Sequence, residues 1–145
     1  MFKKILWATD GSDAADQALP VARELAAEAG GELVVVHCVE YTMPGKGGGR
    51  FPVYAIEEGL ESKITQQVET LSKDGVPARL RKATASVGEA AQVIADVAQE
   101  EGGEVVVVGT RGRGPLAGLL LGSVTQRLLH LAPCPVLAVP VRNGQ

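Results

Sequence analysis

Aromatic side chains are scarce in this chain: they make up 3% of 145 residues, while 46% are hydrophobic. Ala, Val and Leu must therefore fill the core, which suits helices packed on a buried parallel sheet. The same scarcity leaves few rings to sandwich a flavin, so an electron carrier of the flavodoxin kind is disfavoured. Cysteine is equally thin. Cys38 and Cys134 are too few for a disulfide framework, and no Cys-x-x-Cys pair or Cys/His cluster marks a zinc site. Both read as ordinary buried thiols. A basic excess is missing too. The formal net charge of −3 argues against a general nucleic-acid binder. No apolar run approaches the roughly 18 residues of a membrane span. The opening Met-Phe-Lys-Lys-Ile-Leu-Trp carries lysines, but its apolar run stops at Asp10, too short for a signal peptide. The expectations are one domain over residues 1–145, a cytoplasmic location, and neither a nucleic-acid nor a membrane partner.

What is present alternates regularly. Residues 5–8 form a short apolar run closed by Thr9-Asp10-Gly11-Ser12, a strand running into a turn. Ala15, Ala18, Leu19, Ala22, Leu25, Ala26 and Ala29 follow at helical spacing, and Gly30-Gly31 ends them. Pro20 lies inside this pattern and predicts a kink or a lost hydrogen bond. Residues 33–39 are a Val-rich run, as in a strand covered on both faces. Residues 41–55 then lose all periodicity and hold prolines, glycines, Lys46 and Arg50, which predicts a mobile loop. Leu60, Ile64, Val68 and Leu71 mark a helix ending before Gly75. Residues 78–83 read as a more polar edge strand with alternating basic residues. Ser86-Val87-Gly88-Glu89 has capping-box spacing ahead of a helical stripe through Val93, Ile94 and Val97. Residues 105–108 are a third apolar strand, 123–132 a final helix, and 136–139 a last strand. Alternation with short connections implies right-handed crossovers, hence a doubly wound α/β sandwich with a parallel sheet between helices. Such sheets bind ligands at the carboxyl ends of their strands. Here those ends are Ala8-Thr9-Asp10, His37-Cys38-Val39 and Gly109-Thr110-Arg111-Gly112.

The last of these carries the most chemistry. Gly109 and Gly112 lie just past a buried strand, where missing side chains admit a ligand to the backbone. After nine intervening residues, Gly122-Ser123 opens a helix, whose free N–H groups and positive dipole end suit phosphate. Ser123 adds a hydroxyl for a phosphate oxygen or a metal, and Arg111 and Arg113 add positive charge. Glycines after strands are also ordinary turn residues, and Ser123 is a good helix cap without any ligand. The segment is not a Walker A loop, since no Gly-Lys-Ser/Thr closes it. Nor is it the dinucleotide Gly-x-Gly-x-x-Gly, because the first strand runs instead into Asp10-Gly11-Ser12.

The segment resembles the Gly-x2-Gly-x9-Gly-Ser/Thr pattern of ATP-binding universal stress proteins. The start Lys-Lys-Ile-Leu-x-x-Thr-Asp-Gly-Ser, His37 after its Val run, Gly122-Ser123-Val124-Thr125 and Cys134-Pro135-Val136-Leu137 are similar to the same family, so the resemblance spans nearly the whole chain. The expected fold is a Rossmann-like, adenine nucleotide alpha hydrolase-like three-layer sandwich with a five-stranded parallel sheet in the order 3-2-1-4-5. The resemblance implies that Asp10 bonds the ribose hydroxyls, with Ala8 and Thr9 lining the nucleoside. It implies that the backbone at Cys38 and Val39 reads the adenine edge. Gly109 and Gly112, with Arg111 beside them, would approach the ribose and phosphates. Gly122, Ser123, Val124 and Thr125 would hold the outer phosphates of ATP, with Mg²⁺ reached through those phosphates and Ser123. Asp10 read without the family is a turn aspartate capping the next helix.

Other residues carry blander readings. His37 is a structural histidine, His130 a surface or partly buried one, and Trp7 a packing residue. Glu24, Glu28, Glu57, Glu58 and Glu61 are solvated helix faces. No catalytic residue is nominated. An ATP-dependent regulatory module leads, ahead of a slow ATPase or autophosphorylating enzyme and of a nucleotide-free interaction protein. The apolar last strand, from Val136 to Val141, would pair with its copy in a homodimer, as the resemblance implies and an exposed sheet edge favours.

Overall fold

A computed structural model describes residues 2–42, 51–52, 57–110 and 122–141. In chain order the elements are β1 (Lys4–Thr9), α1 (Asp13–Ala29), β2 (Glu32–Thr42), β3 (Phe51–Pro52), α2 (Glu57–Lys73), β4 (Ala78–Ser86), α3 (Ala90–Glu101), β5 (Val105–Gly109), α4 (Ser123–Leu131) and β6 (Val136–Val139). Five strands pair in parallel in the order β4-β2-β1-β5-β6. This is the order 3-2-1-4-5 once the short β3 is set aside. Two stretches extend past the limits read from sequence. Leu33 to Tyr41 of β2 pairs residue by residue with Ala78 to Ser86 of β4. Backbone bonding carries the ladder through Thr84 and Ser86, past the limit of 83 read from sequence. Part of the expected loop is also strand: β3 pairs antiparallel with Tyr41 and Thr42.

The core divides by strand alternation. Ile5, Trp7, Leu33, Val35, Val105 and Val107 point to one face, where Ala18, Ala22 and Ala26 of α1 and Ile64 and Leu71 of α2 cover them. Leu6, Ala8, Val34, Val36, Val106 and Val108 point to the other, under Ala91, Ile94, Ala95 and Ala98 of α3 and Leu128 of α4. A period of two sends neighbours to opposite faces, so continuous apolar runs are what a doubly covered sheet requires. The alanines along α1 keep that helix close to the strands.

Helix ends follow local chemistry with one exception. Ser12 caps α1, its Oγ accepting from the Ala15 N–H at 3.2 Å, and Gly30 closes it at φ +62°. The helix runs on through exposed Pro20. The capping box expected at Ser86 does not form. Ser86 is the last residue of β4, paired with Tyr41, and Gly88 turns at φ +87°. The helix start is thereby displaced to Ala90. The Glu89 N–H meets the Ser86 main-chain carbonyl at 2.9 Å, and no side-chain cap forms.

The two sheet edges differ. On β4, Arg79 and Arg81 reach the Glu101 carboxylate of α3, and Arg81 also reaches Glu100. Bonding to Arg79 above all holds the Glu101 carboxyl down to about 2. A row of paired charges suits an edge strand that must not recruit another chain. On β6 the edge is apolar, and Leu137 stays 39% exposed.

Candidate functional site

Register brings three strand ends together. Thr9 pairs with His37 at the end of the β1–β2 ladder. Trp7 pairs with Val107, so two residues on Gly109 comes level with Thr9. The Nδ1 atom of His37 lies 3.2 Å from the Thr9 carbonyl, and both residues are buried. This is the structural histidine expected. Trp7 is likewise a packing residue, fully buried with its indole N–H donating to the Ala15 carbonyl at 3.0 Å. His130 is exposed on the last turn of α4.

The turn after β1 is knit by its own side chains. The Gly11 N–H donates to Thr9 Oγ1 at 3.0 Å, and the Ser12 N–H to Asp10 Oδ1 at 3.0 Å. Asp10 thus forms the local turn bond its residue type favours, while the helix cap falls to Ser12. Ala8 lies buried in the cluster beneath α3 and α4.

Past His37, β2 outruns β1. Tyr41 is paired on one side with Ser86 and on the other with Pro52. Between the end of β1 and Pro52 at the end of β3, the β1-facing edge of Cys38, Val39 and Glu40 has no strand opposite among the described residues. An edge of this kind offers main-chain donors and acceptors to a planar group. The Cys38 thiol is pushed up to about 11, first by burial and then by Glu40, so it is protonated at neutral pH and is no nucleophile.

The fourth component is the start of α4. The Gly122 N–H donates to the Thr110 carbonyl at 2.6 Å. That bond joins the end of β5 directly to the start of α4. Gly122 caps the helix with no side-chain bond, and the Gln126 N–H bonds its carbonyl at 3.0 Å. The N–H groups of Ser123, Val124 and Thr125 have no partner within the helix. Ser123 is exposed and Val124 half-buried. Thr125 is buried, and its hydroxyl donates to the Gly109 carbonyl at 2.9 Å, tying α4 to the end of β5. Arg111, Gly112 and Arg113, with Lys46 and Arg50, lie outside the described residues.

Gly109 itself has a structural reason. A Cβ built there would sit 2.6 Å from the Ala14 carbonyl oxygen and 2.8 Å from its carbon. The room its missing side chain leaves is occupied by the start of α1.

Sequence reasoning missed a cleft of about 200 Å³ beside the start of α4. Ser123 and Val124 line it together with Glu40, Val87, Gly88 and Arg127. Glu40 Oε2 accepts from the Gly88 N–H at 2.9 Å, and Arg127 donates to the Gly88 carbonyl. The turn between β4 and α3 is thus held to β2 and to α4. A signal was available: Arg127 stands four residues after Ser123, on the same face of the helix.

The model of the universal stress protein family matches residues 1–140. The chain belongs to this family. Among its relatives, a universal stress protein of Thermus aquaticus, from the region 3′ of QAH/OAS sulfhydrylase, is 40% identical over 139 residues, covering 96% of this chain and 99% of that one. Solved universal stress protein structures share the fold. The MJ0577 protein of Methanocaldococcus jannaschii matches with a TM-score of 0.70 at 25% identity, over 99% of each chain. The Archaeoglobus fulgidus universal stress protein in complex with dAMP matches with a TM-score of 0.64 at 26% identity, over 95% of this chain and 97% of that one. Within this family member, no described helix is long and apolar enough to cross a membrane.

Proposed function

We propose that this universal stress protein is an adenine-nucleotide-binding regulatory module, with ATP as its ligand. The observation that carries the reading is the bond from the Gly122 N–H to the Thr110 carbonyl. It sets the N-terminus of α4 beside the end of β5, level with the Asp10 turn and on the same end of the sheet as Cys38 and Val39. Each part suits one part of a nucleotide. The N–H groups of Ser123, Val124 and Thr125 suit the outer phosphates. The Asp10 carboxylate suits the ribose hydroxyls, with Ala8 and Thr9 beside them. The main chain at Cys38 and Val39 suits the base edge. By the family pattern alone, the main chain at Gly109, with Arg111 and Gly112, would reach the inner phosphates. The dAMP complex of the Archaeoglobus relative supports an adenine nucleotide as the ligand class. Among the described residues no three His, Cys, Asp or Glu side chains converge as metal ligands. Mg²⁺ would accordingly arrive on the phosphates, with the Ser123 hydroxyl as its protein contact. The proposal is of a binding module rather than a dedicated enzyme, located in the cytoplasm.

Calorimetric titration with Mg-ATP tests it. Wild type should bind, and Gly122→Val should lose at least about tenfold in affinity, because a branched side chain at the helix cap crowds the approach of phosphate to the N–H groups of Ser123, Val124 and Thr125. The melting transition of Gly122→Val checks that it remains folded. No heat in wild type, over a concentration range reaching millimolar ATP, would reduce the glycines to turn residues.

The exposed Leu137 on the apolar β6 edge supports a homodimer through the stretch from Val136 to Val141, since the charged β4 edge is unfit for pairing. Solution scattering should return twice the chain mass. A protomer mass at working concentration would remove the dimer from the proposal.

A further inference from the structure

The turn that carries Asp10 is gripped from outside by α2. Lys63 Nζ donates to the Gly11 carbonyl at 2.9 Å and to Asp16 Oδ2 at 2.6 Å. Gln67 Nε2 donates to Asp16 Oδ1 at 3.0 Å. Leu60 fills the space where a side chain on Gly11 would stand, its Cδ2 being 2.4 Å from an ideal Cβ there, and Gly11 itself turns at φ +81°. Leu60, Lys63 and Gln67 are spaced by three and four residues, so one face of α2 makes all these contacts.

The geometry within the turn gives Lys63 a particular place. The Gly11 carbonyl and the Ser12 N–H belong to one planar peptide unit. Lys63 holds its oxygen end, and the Asp10 carboxylate accepts from its nitrogen end. Rotation of that unit moves a hydrogen bond that holds the Asp10 side chain. The Lys63–Asp16 ion pair is about one-third exposed on both sides and adds little stability by itself. The bond to the Gly11 carbonyl is the one that sets geometry, and a charged donor makes it stronger than a neutral one.

We infer that Lys63 is a positioning residue for the ribose subsite: by fixing the Gly11–Ser12 peptide it sets the direction in which Asp10 presents its carboxylate. The inference rests on the nucleotide reading above. It places a residue of α2, far in sequence from the glycine pattern, in control of sugar recognition.

The test compares ATP with 2′,3′-dideoxy-ATP by calorimetry on the full chain, in wild type, Lys63→Met and Lys63→Arg. Wild type should prefer ATP by roughly tenfold or more, the worth of hydrogen bonds between ribose hydroxyls and a carboxylate. Lys63→Met should compress that preference to within about threefold, chiefly by weakening ATP. Lys63→Arg, which keeps a charged donor, should restore most of it. A purely structural role would lower the melting temperature of Lys63→Met and leave the ATP-to-dideoxy ratio as in wild type; that result overturns the inference while the nucleotide reading stands. Failure of wild type to bind either nucleotide overturns the nucleotide reading itself.

Discussion

Gly109→Ala should lower stability by about 3 kcal/mol, at the upper end of what overpacking costs. Melting should fall by roughly 6–12 °C for a domain near this size. The added methyl would stand 2.6 Å from the Ala14 carbonyl oxygen and 2.8 Å from its carbon. Both are main-chain atoms at the start of α1, and neither can swing aside as the end of a side chain would. Either β5 or α1 must move. Moving α1 disturbs the Ser12 cap, and moving β5 disturbs the Thr125 bond to the Gly109 carbonyl. A glycine needed for ligand approach alone would behave differently: Gly109→Ala would melt like wild type and bind nucleotide less well. An unchanged melting temperature would refute the packing argument.

Trp7→Ala should cost still more, about 4 kcal/mol, in the range measured for emptying a buried aromatic site. Stability of an ordinary domain is only about 5–15 kcal/mol, so this variant should sit near the edge of folding. Trp7 is fully buried between β1 and the helices on its face, and its indole donates to the Ala15 carbonyl. The side chain therefore joins the centre of the sheet to the first turn of α1. Trp7→Phe separates the two contributions. It keeps most of the apolar contact and loses the hydrogen bond, for an expected loss of about 1–2 kcal/mol. Chemical denaturation of the three proteins measures both quantities. A Trp7→Ala loss under about 1 kcal/mol would mean that the site collapses around the gap.

Both substitutions act at the junction of β1, β5 and α1, and the sequence reading met that junction only in part. Trp7 was legible as a packing residue because it stands inside an apolar run. Gly109 was legible as a special position, but its meaning was not. Its neighbour Ala14 lies on another element, and a close approach between two main chains leaves no mark in either local pattern. The failed capping box has the same origin. Ser86 and Glu89 have the right spacing, yet pairing of Ser86 with Tyr41 retains it in the strand. A long-range ladder overrode a short-range signal.

The order of strands and helices, the two covered faces of the sheet and the polar edge were readable from the chain itself. These follow from periodicities of two and 3.6 and from glycine stops, all of them local. The open helix start at Gly122 and the turn at Asp10 were readable for the same reason. Three things were settled only by the tertiary structure. It brought Gly122 to within a hydrogen bond of Thr110, it set Lys63 of α2 against the Gly11 carbonyl, and it joined Glu40, Gly88 and Arg127 around a cleft. Each depends on the distance between residues remote in sequence, and packing alone determines that distance.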